Sequence, residues 1–383
     1  MKVFIIHATA GAGHKKAAEA LYNSFRKINP DKNQVQNIDA LDYTNAFFKR
    51  AYPEVYIFLV SYVPWLWGII FHLLNSSLLK PIINPIRSFF NSLQGAPLLN
   101  YVKEQQPDVI ICEHFMSAQL MAALKTKGLI KAMVVCGVTD FGVHQFWVNK
   151  GIDFYLVASE STKEEIISMG VKADKIRVTG IPIEDKFSKI TDRNQLFSKL
   201  GLKQNKFTVL VTSGGFGVGP IKKIVEHLDN MSRDLQIAVV CGKNADMYDY
   251  FKAAVFKKNV QANGFINNMD EFMECADLII SKSGGLTVSE SLAKNLPMLI
   301  IKPIPGQETR NAEIIEKYNI GRRLFDVNKV AALVEEILAD DHKILNQMKE
   351  NAKKLARPNA AEEICQWTAK KFSENNLAEP LSS

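Results

Sequence analysis

Short runs of consecutive apolar residues recur along the chain, separated by stretches in which apolar and polar positions alternate with helical spacing. Val3–Ile6, Val109–Cys112, Met133–Gly137, Phe154–Ala158 and Ile176–Val178 mark strands in the first half, with a second short strand around Gln34–Ile38 that ends at Asp39. Thr208–Val211, Ile237–Val240, Val260–Asn263, Leu278–Ile280 and Met298–Ile301 mark strands in the second half. Helices are predicted at about Lys15–Lys27, at Lys329–Leu338, at about Asp341–Leu355 and near Ala361–Phe372. This rhythm predicts an α/β protein whose parallel sheets carry helices on both faces. Gly180-Ile181-Pro182 interrupts it, and Ile183–Lys206 is charged and polar. A hinge over 181–206 then separates a domain over 1–180 from one over 207–356. Residues 357–383 supply a C-terminal helix, whose return to the first domain is left open, and a frayed polar tail over Ser373–Ser383.

Three strands run directly into glycine turns and then into helices: Ala10-Gly11-Ala12-Gly13-His14, Ser213-Gly214-Gly215-Phe216-Gly217, and Lys282-Ser283-Gly284-Gly285-Leu286-Thr287. Glycine lets backbone N–H groups approach a ligand, and the following helix aims its positive end at the same spot, which suits a phosphate. Two Rossmann-like halves facing each other across a cleft would make a two-substrate enzyme.

Composition adds little to this picture, and one segment adds much. Of 383 residues 47% are apolar and 23% charged, which allows a sizeable core, and the formal charge of +7 suits an anionic partner as well as it suits an ordinary soluble protein. Five cysteines without CxxC spacing read as reduced, packed thiols in a cytosolic protein, and the run Val3–Ile6 is too short for a signal peptide. Val55–Leu74, however, contains no Asp, Glu, Lys or Arg over twenty residues, inside an aromatic insertion spanning roughly Tyr43–Phe90. A membrane span, a buried pair of core helices and a segment lying in the membrane interface all fit its length. Pro64, Gly68 and the cluster Tyr62, Trp65 and Trp67 favour the interface, where Lys49, Arg50, Lys80 and Arg87 would meet anionic headgroups.

The polar residues at strand ends are the candidates for chemistry. His14 opens a helix, where the dipole favours a neutral imidazole able to accept a proton; it also reads as a simple helix opener. Glycines at 214, 215, 217 and 219 are denser than a turn needs. Glu290, expected in the first turn of the helix behind Gly284-Gly285, can accept two hydrogen bonds from a ribose diol, or merely stabilise its helix. Pro305-Gly306-Gln307-Glu308-Thr309-Arg310-Asn311 opens the next helix with groups able to bind sugar hydroxyls, and a flat base could lie on the backbone of Phe265-Ile266. Val138-Thr139-Asp140 ends a strand and is followed by His144 and Trp147; Asp140 and His144 read equally as a polar pair at the cleft and as a satisfied structural pair, and Glu113-His114 follows another strand end. No cluster has metal-ligand spacing.

Taken in order, "GAGH", "VTDFGVHQFW", "VTGIPI", "TSGGFG", "GFINNMDEFMECADLIISKSGGLTVSE" and "PGQETRNA" resemble the diacylglycerol glycosyltransferases over residues 1 to about 320. That family includes monogalactosyldiacylglycerol synthases and processive diacylglycerol glucosyltransferases, relatives of the peptidoglycan-precursor enzyme of glycosyltransferase family 28. The resemblance implies a GT-B fold, an acceptor site in the first domain and a UDP-sugar site in the second. It also implies inverting transfer without a metal or other cofactor, the UDP-sugar being a co-substrate. Carried over by position, Gly264, Phe265 and Ile266 would hold uracil, Glu290 the ribose, and Gly284, Gly285 and Thr287 the diphosphate, with Gly214, Gly215 and Ser283 beside them. Gln307, Glu308 and Asn311 would face the sugar. His14 would be the base or orient the acceptor, with Asp140 also assigned to catalysis. Gly11, Gly13, Tyr62, Trp65, Trp67, Phe71, His144 and Trp147 would serve acceptor and membrane. Ser283 stands where the family usually has proline, Thr309-Arg310 replaces a commonly acidic pair, and His114-Phe115 departs from His-Pro. The expected partners are UDP-glucose or UDP-galactose, diacylglycerol and an anionic membrane surface on the cytoplasmic side; nucleic acid is not among them.

Overall fold

The computed structural model describes residues 1–378 except Ala10, Pro30, Lys32, Asn33, Ser77, Leu78, Phe216 and Val218; for Ser61, Lys80, Asn84 and 376–378 only the backbone is described. The expectations for Ala10, for Phe216, for the Lys80 side chain and for the tail beyond 378 therefore fall outside it. The chain divides into two compact units, Met1–Asp185 with Pro305–Gln307 and Asn359–Ser383, and Lys186–Ile304 with Glu308–Pro358. The division falls inside the segment 181–206 read as a hinge. The rest of that segment belongs to the second unit, where Leu196 and Phe197 are buried.

The first unit holds six parallel strands, β1 (Val3–His7), β2 (Val35–Asp39), β3 (Val109–Cys112), β4 (Met133–Gly137), β5 (Phe154–Val157) and β6 (Ile176–Val178), in the order β2-β1-β3-β4-β5-β6. Its helices are α1 (Ala12–Ile28), α2 (Ala46–Tyr62), α3 (Pro64–Leu74), α4 (Lys80–Gln94), α5 (Ala96–Gln105), α6 (Phe115–Thr126) and α7 (Glu160–Ser168). The second unit contains α8 (Arg193–Lys199) and strands β7 (Phe207–Thr212), β8 (Leu235–Val240), β9 (Val260–Asn263), β10 (Leu278–Ser281), β11 (Met298–Ile301) and β12 (Gly321–Leu324), in the order β12-β11-β10-β7-β8-β9. It also contains α9 (Ile221–Asp229), α10 (Ala245–Ala253), α11 (Met269–Cys275), α12 (Gly285–Ala293), α13 (Gln307–Lys317) and α14 (Val330–Leu355), before α15 (Ala360–Ala378) rejoins the first.

Period-two alternation sorts each strand onto two cores. In the first sheet Phe4, Ile6, Ile110, Cys112, Val134 and Cys136 pack with Leu98 and Val102 of α5 and with α6. Val3, Ile5, Val109, Ile111, Met133 and Val135 face the other way, onto Leu21 and Phe25 of α1 and onto Ala361, Ile364 and Cys365 of α15. Helices cover both sides, so these strands read as continuous apolar runs. β12 has no such run: it is an edge strand reading Gly-Arg-Arg-Leu, and its two arginines hide it from a hydrophobic pattern. Within α14, Ala339–His342 leave helical geometry, which accounts for the two helices expected on either side.

Val55–Leu74 is not one helix. α2 ends at Tyr62, α3 starts at Pro64, and Ala46–Val60 and Pro64–Leu74 are bent by 111° to one another. No single helix among the described residues is long and apolar enough to cross a membrane. Nor is the pair a buried core: Val55, Phe58, Tyr62, Trp65, Ile69 and Leu73 are exposed, and α4 adds Ile82, Ile86, Phe89, Phe90 and Leu93.

Candidate functional site

In the first sheet the chain's direction of travel reverses between β1 and β3, and ligands of open α/β sheets bind beyond the carboxyl ends at such a reversal. His14 stands there, in the first turn of α1, after Gly11 as an extended cap. A Cβ at Gly11 or Gly13 would meet no atom within 4 Å, so the fold itself does not demand glycine at either place. The His14 Nδ1 lies 2.8 Å from the Thr139 hydroxyl. Its ring meets His114 edge-on at 4.7 Å between centroids, with Trp147 at 6.2 Å. Burial lowers its pKa to about 4, against a hydrogen bond to the Glu113 backbone and with help from His7. The imidazole is therefore neutral at pH 7, with a lone pair to share.

Thr139, placed at a strand end by the sequence but given no role there, is the partner of His14. Its only signal was a hydroxyl at a strand end beside Asp140, which is itself buried. Glu113 and His114, noticed but not assigned, flank the same spot from the end of β3. His114 spends its Nδ1 capping α6 through the Met116 N–H at 3.1 Å, and His144 accepts from the Phe146 N–H at 3.1 Å.

Several residues expected at the acceptor and membrane do not reach solvent. Trp147 is buried in the core, where it forms a wall beside His14. Phe71 is buried with its ring edge-on to His144 at 4.7 Å, so its aromatic surface is spent inside the protein. Trp67 is half-buried against Tyr56. Tyr62 and Trp65, at 75% and 66% exposure, do point outward. Arg87, expected to project towards headgroups, instead lies 3.9 Å from the centre of the Phe146 ring. Burial lowers its pKa to about 10, against the effect of Tyr52.

In the second unit the reversal falls between β7 and β10, and the two remaining glycine turns follow those strands. Gly214 and Gly217 take φ of +74° and +62°, and a Cβ at Gly217 would come within 2.1 Å of the Cys241 carbonyl oxygen, so glycine is required there. Gly242, with φ +59°, packs on the Gly214 and Gly215 carbonyls, and the Lys243 N–H donates to the Gly215 oxygen at 2.9 Å. Neither residue was singled out from the sequence, although a glycine directly after the apolar end of β8 was the available signal. The Lys243 ammonium lies 6.0 Å from the centre of the Phe265 ring, which is 59% exposed. A Cβ added at Gly214, Gly215 or Gly264 would meet no atom within 4 Å.

α12 begins at Gly285 with Gly284 as its extended cap, so Thr287 sits in the first turn and Glu290 in the second. Glu290 is thus too far along to be explained by the helix dipole, whose effect fades within the first turn. The neighbouring turn is tied to α13: Ser283 Oγ donates to the Glu308 carbonyl at 2.7 Å, and the Asn311 amide donates to the Ser283 carbonyl at 2.8 Å. Asn311 is fully buried, so that amide braces the turn rather than standing open to a sugar. The Glu308 carboxylate accepts from the Ile304 N–H at 2.7 Å and lies 3.9 Å from where a Gly284 Cβ would be. Burial raises its pKa, opposed by that hydrogen bond and by Lys282. Gln307 is the first residue of α13. Among the described residues no group of three or more His, Cys, Asp or Glu could hold a metal.

Residues 14–183 match the family profile for monogalactosyldiacylglycerol (MGDG) synthase, and residues 208–364 match that for the glycosyltransferase family 28 C-terminal domain. Processive diacylglycerol beta-glucosyltransferases of Bacillus cereus and Bacillus thuringiensis are each 31% identical over 372 residues, covering 95% of this chain and 92% of theirs. Among solved structures, Acinetobacter baumannii MurG aligns with a TM-score of 0.61 at 14% identity over 96% of this chain and 99% of its own. A UDP complex of S. aureus MnaA aligns with a TM-score of 0.63 at 16% identity over 99% and 98%. These two likenesses extend to the fold, GT-B with two Rossmann-like units.

Proposed function

Because the chain belongs to the diacylglycerol glycosyltransferases with a family 28 C-terminal domain, we propose that it transfers glucose from UDP-glucose to diacylglycerol, with inversion at the anomeric carbon. The observation that carries this reading is the likeness to the Bacillus glucosyltransferases over nearly their whole length.

The two sites support it chemically. The second unit offers an exposed Phe265 beside open backbone at Gly264 for the base, and Glu290 for the ribose. The Gly284–Thr287 turn at the positive end of α12 would hold the diphosphate and take up charge as UDP departs. In the first unit, neutral His14 takes the proton of the lipid hydroxyl as that oxygen bonds to the anomeric carbon and the bond to UDP breaks. Thr139 holds the imidazole in place, and Asp140 lies next to it in sequence.

Exposed aromatic and aliphatic residues on α2, α3 and α4 would sit in the lipid interface, bringing diacylglycerol to His14 from the inner leaflet. Transfer needs no metal in this scheme, because backbone amides and a helix end meet the leaving group. NMR of the glycolipid product tests the chemistry: a β-linked anomeric proton, with turnover unchanged after dialysis against EDTA, is expected. An α-linked product would refute inversion, and loss of turnover with rescue by a divalent ion would refute metal independence.

A further inference from the structure

We propose that Glu113 is a positioning residue for His14, its carboxylate supplying the negative charge that stabilises the imidazolium formed during transfer. Parallel pairing aligns Ile6 with Cys112 and Cys112 with Cys136, so the residues that follow, His7, Glu113 and Gly137, form a row across the ends of β1, β3 and β4. The Glu113 carboxyl lies over Gly137, where an added Cβ would be 2.1 Å from Oε1; only glycine leaves that space. The residue is fully buried, and neither carboxyl oxygen has a hydrogen-bond partner. The backbone of this same residue acts on the His14 titration, and the His14 ring meets that of the next residue, His114, at 4.7 Å between centroids.

A buried carboxyl without a partner is costly, and an apolar side chain of similar size would pack there without that cost. Among the described residues no charged group shifts its titration; burial alone does. His7 on β1 is buried, its Nδ1 lacks a partner, and burial lowers its pKa despite Asp39. Lys15, Glu19 and Asp42 act on His7 in turn. His114 at the start of α6 is held neutral by burial, with His14, His7 and Arg87 adding to the effect. The Cys112 and Cys136 thiols on β3 and β4 are likewise kept protonated, chiefly by burial. What the cluster lacks is a positive charge, and the reaction makes one. When His14 takes the acceptor's proton, the new C–O bond forms and UDP leaves with the electrons of the broken bond, so the imidazolium needs a counter-charge. Burial raises the Glu113 pKa to about 8, so the carboxylate becomes available only as pH approaches that value.

The inference rests on His14 as the base, and the test separates the two ideas. Turnover and KM for UDP-glucose are measured on diacylglycerol vesicles from about pH 5.5 to 9.5 for wild type, Glu113→Gln and His14→Ala. Wild-type kcat is expected to rise about tenfold per pH unit and level off above about pH 8. Glu113→Gln is expected to give a flat profile, at least about tenfold below wild type at alkaline pH, with KM and UDP affinity unchanged. A Gln variant that keeps both the wild-type profile and the wild-type kcat overturns the proposal. So does a flat wild-type profile, which needs no variant to fold. If His14→Ala is inactive while Glu113→Gln is normal, only the role of Glu113 falls. If His14→Ala keeps full turnover, the base assignment falls with it.

Discussion

Replacing Glu113 by Gln should change how stability depends on pH. The folded state raises the Glu113 pKa from an ordinary 4.5 to about 8, with burial as the cause. Native protein therefore holds this proton more tightly than unfolded chain does. The stabilisation is fully present below about pH 4.5, fades as pH rises, and is gone above about 8. An interval of about 3.5 pH units at about 1.4 kcal/mol per unit sets an upper limit of about 5 kcal/mol. Gln cannot titrate, yet it fills the same volume over Gly137. Stability of the variant minus that of wild type should therefore grow between about pH 4.5 and 8, by roughly 3–5 kcal/mol, and stay level on either side. His7, His14 and His114 titrate in both proteins, so their contributions cancel in the difference. Urea unfolding of the two proteins at matched pH, followed by fluorescence, measures it. Parallel stability curves across this range would show that Glu113 ionises at an ordinary pKa and that its burial has been misjudged.

Glu290→Ala should weaken UDP binding by about 1.5–3 kcal/mol in calorimetric titration while the thermal melt stays in place, and unchanged affinity would remove Glu290 from the donor site. His14→Ala should leave UDP affinity intact and lower kcat about 100-fold or more; equal losses in binding and rate would make His14 a donor-site residue instead. Acid should destabilise the fold through this histidine, as alkali does through Glu113. With its pKa lowered from 6.5 to about 4, neutral His14 contributes stability that is present above about pH 6.5 and lost as pH falls through about 4. His14→Gln should therefore lose less stability than wild type over that window, and identical acid unfolding curves would argue against a desolvated neutral imidazole. Tyr62→Ser with Trp65→Ser should reduce vesicle sedimentation at least about tenfold without altering the melt, since both side chains are exposed; undiminished binding would place the membrane contact elsewhere.

The sheets were legible because burial on both faces writes itself as unbroken apolar runs. Val109–Cys112, Met133–Gly137, Val260–Asn263 and Met298–Ile301 can be read residue for residue. β12 was not legible, because an edge strand can carry two arginines. Direction along a strand or helix was harder still. The composition of Val55–Leu74 announces aromatic surface but not that Phe71 turns inward while Tyr62 and Trp65 turn outward; that is decided by the break at Val63. Trp147 looked like a surface for lipid and is a core wall. Glu290 was placed one turn early because the first residue of a helix behind two glycines has no capping side chain to mark it. The bond from Thr139 and the unpartnered state of the Glu113 carboxyl arise only when β1, β3 and β4 end side by side, and strand order is not written in any one segment.

The central claim is hexosyl transfer to diacylglycerol, and lipid extraction tests it most directly. The full chain is incubated with diacylglycerol vesicles and either UDP-[14C]glucose or UDP-[14C]galactose, and radioactivity in the organic phase is followed with time. Label should enter the lipid from UDP-glucose, depend on diacylglycerol, and fall about 100-fold or more with His14→Ala. Label that stays in water with either donor, or that returns as an isomerised UDP-sugar, would contradict the account.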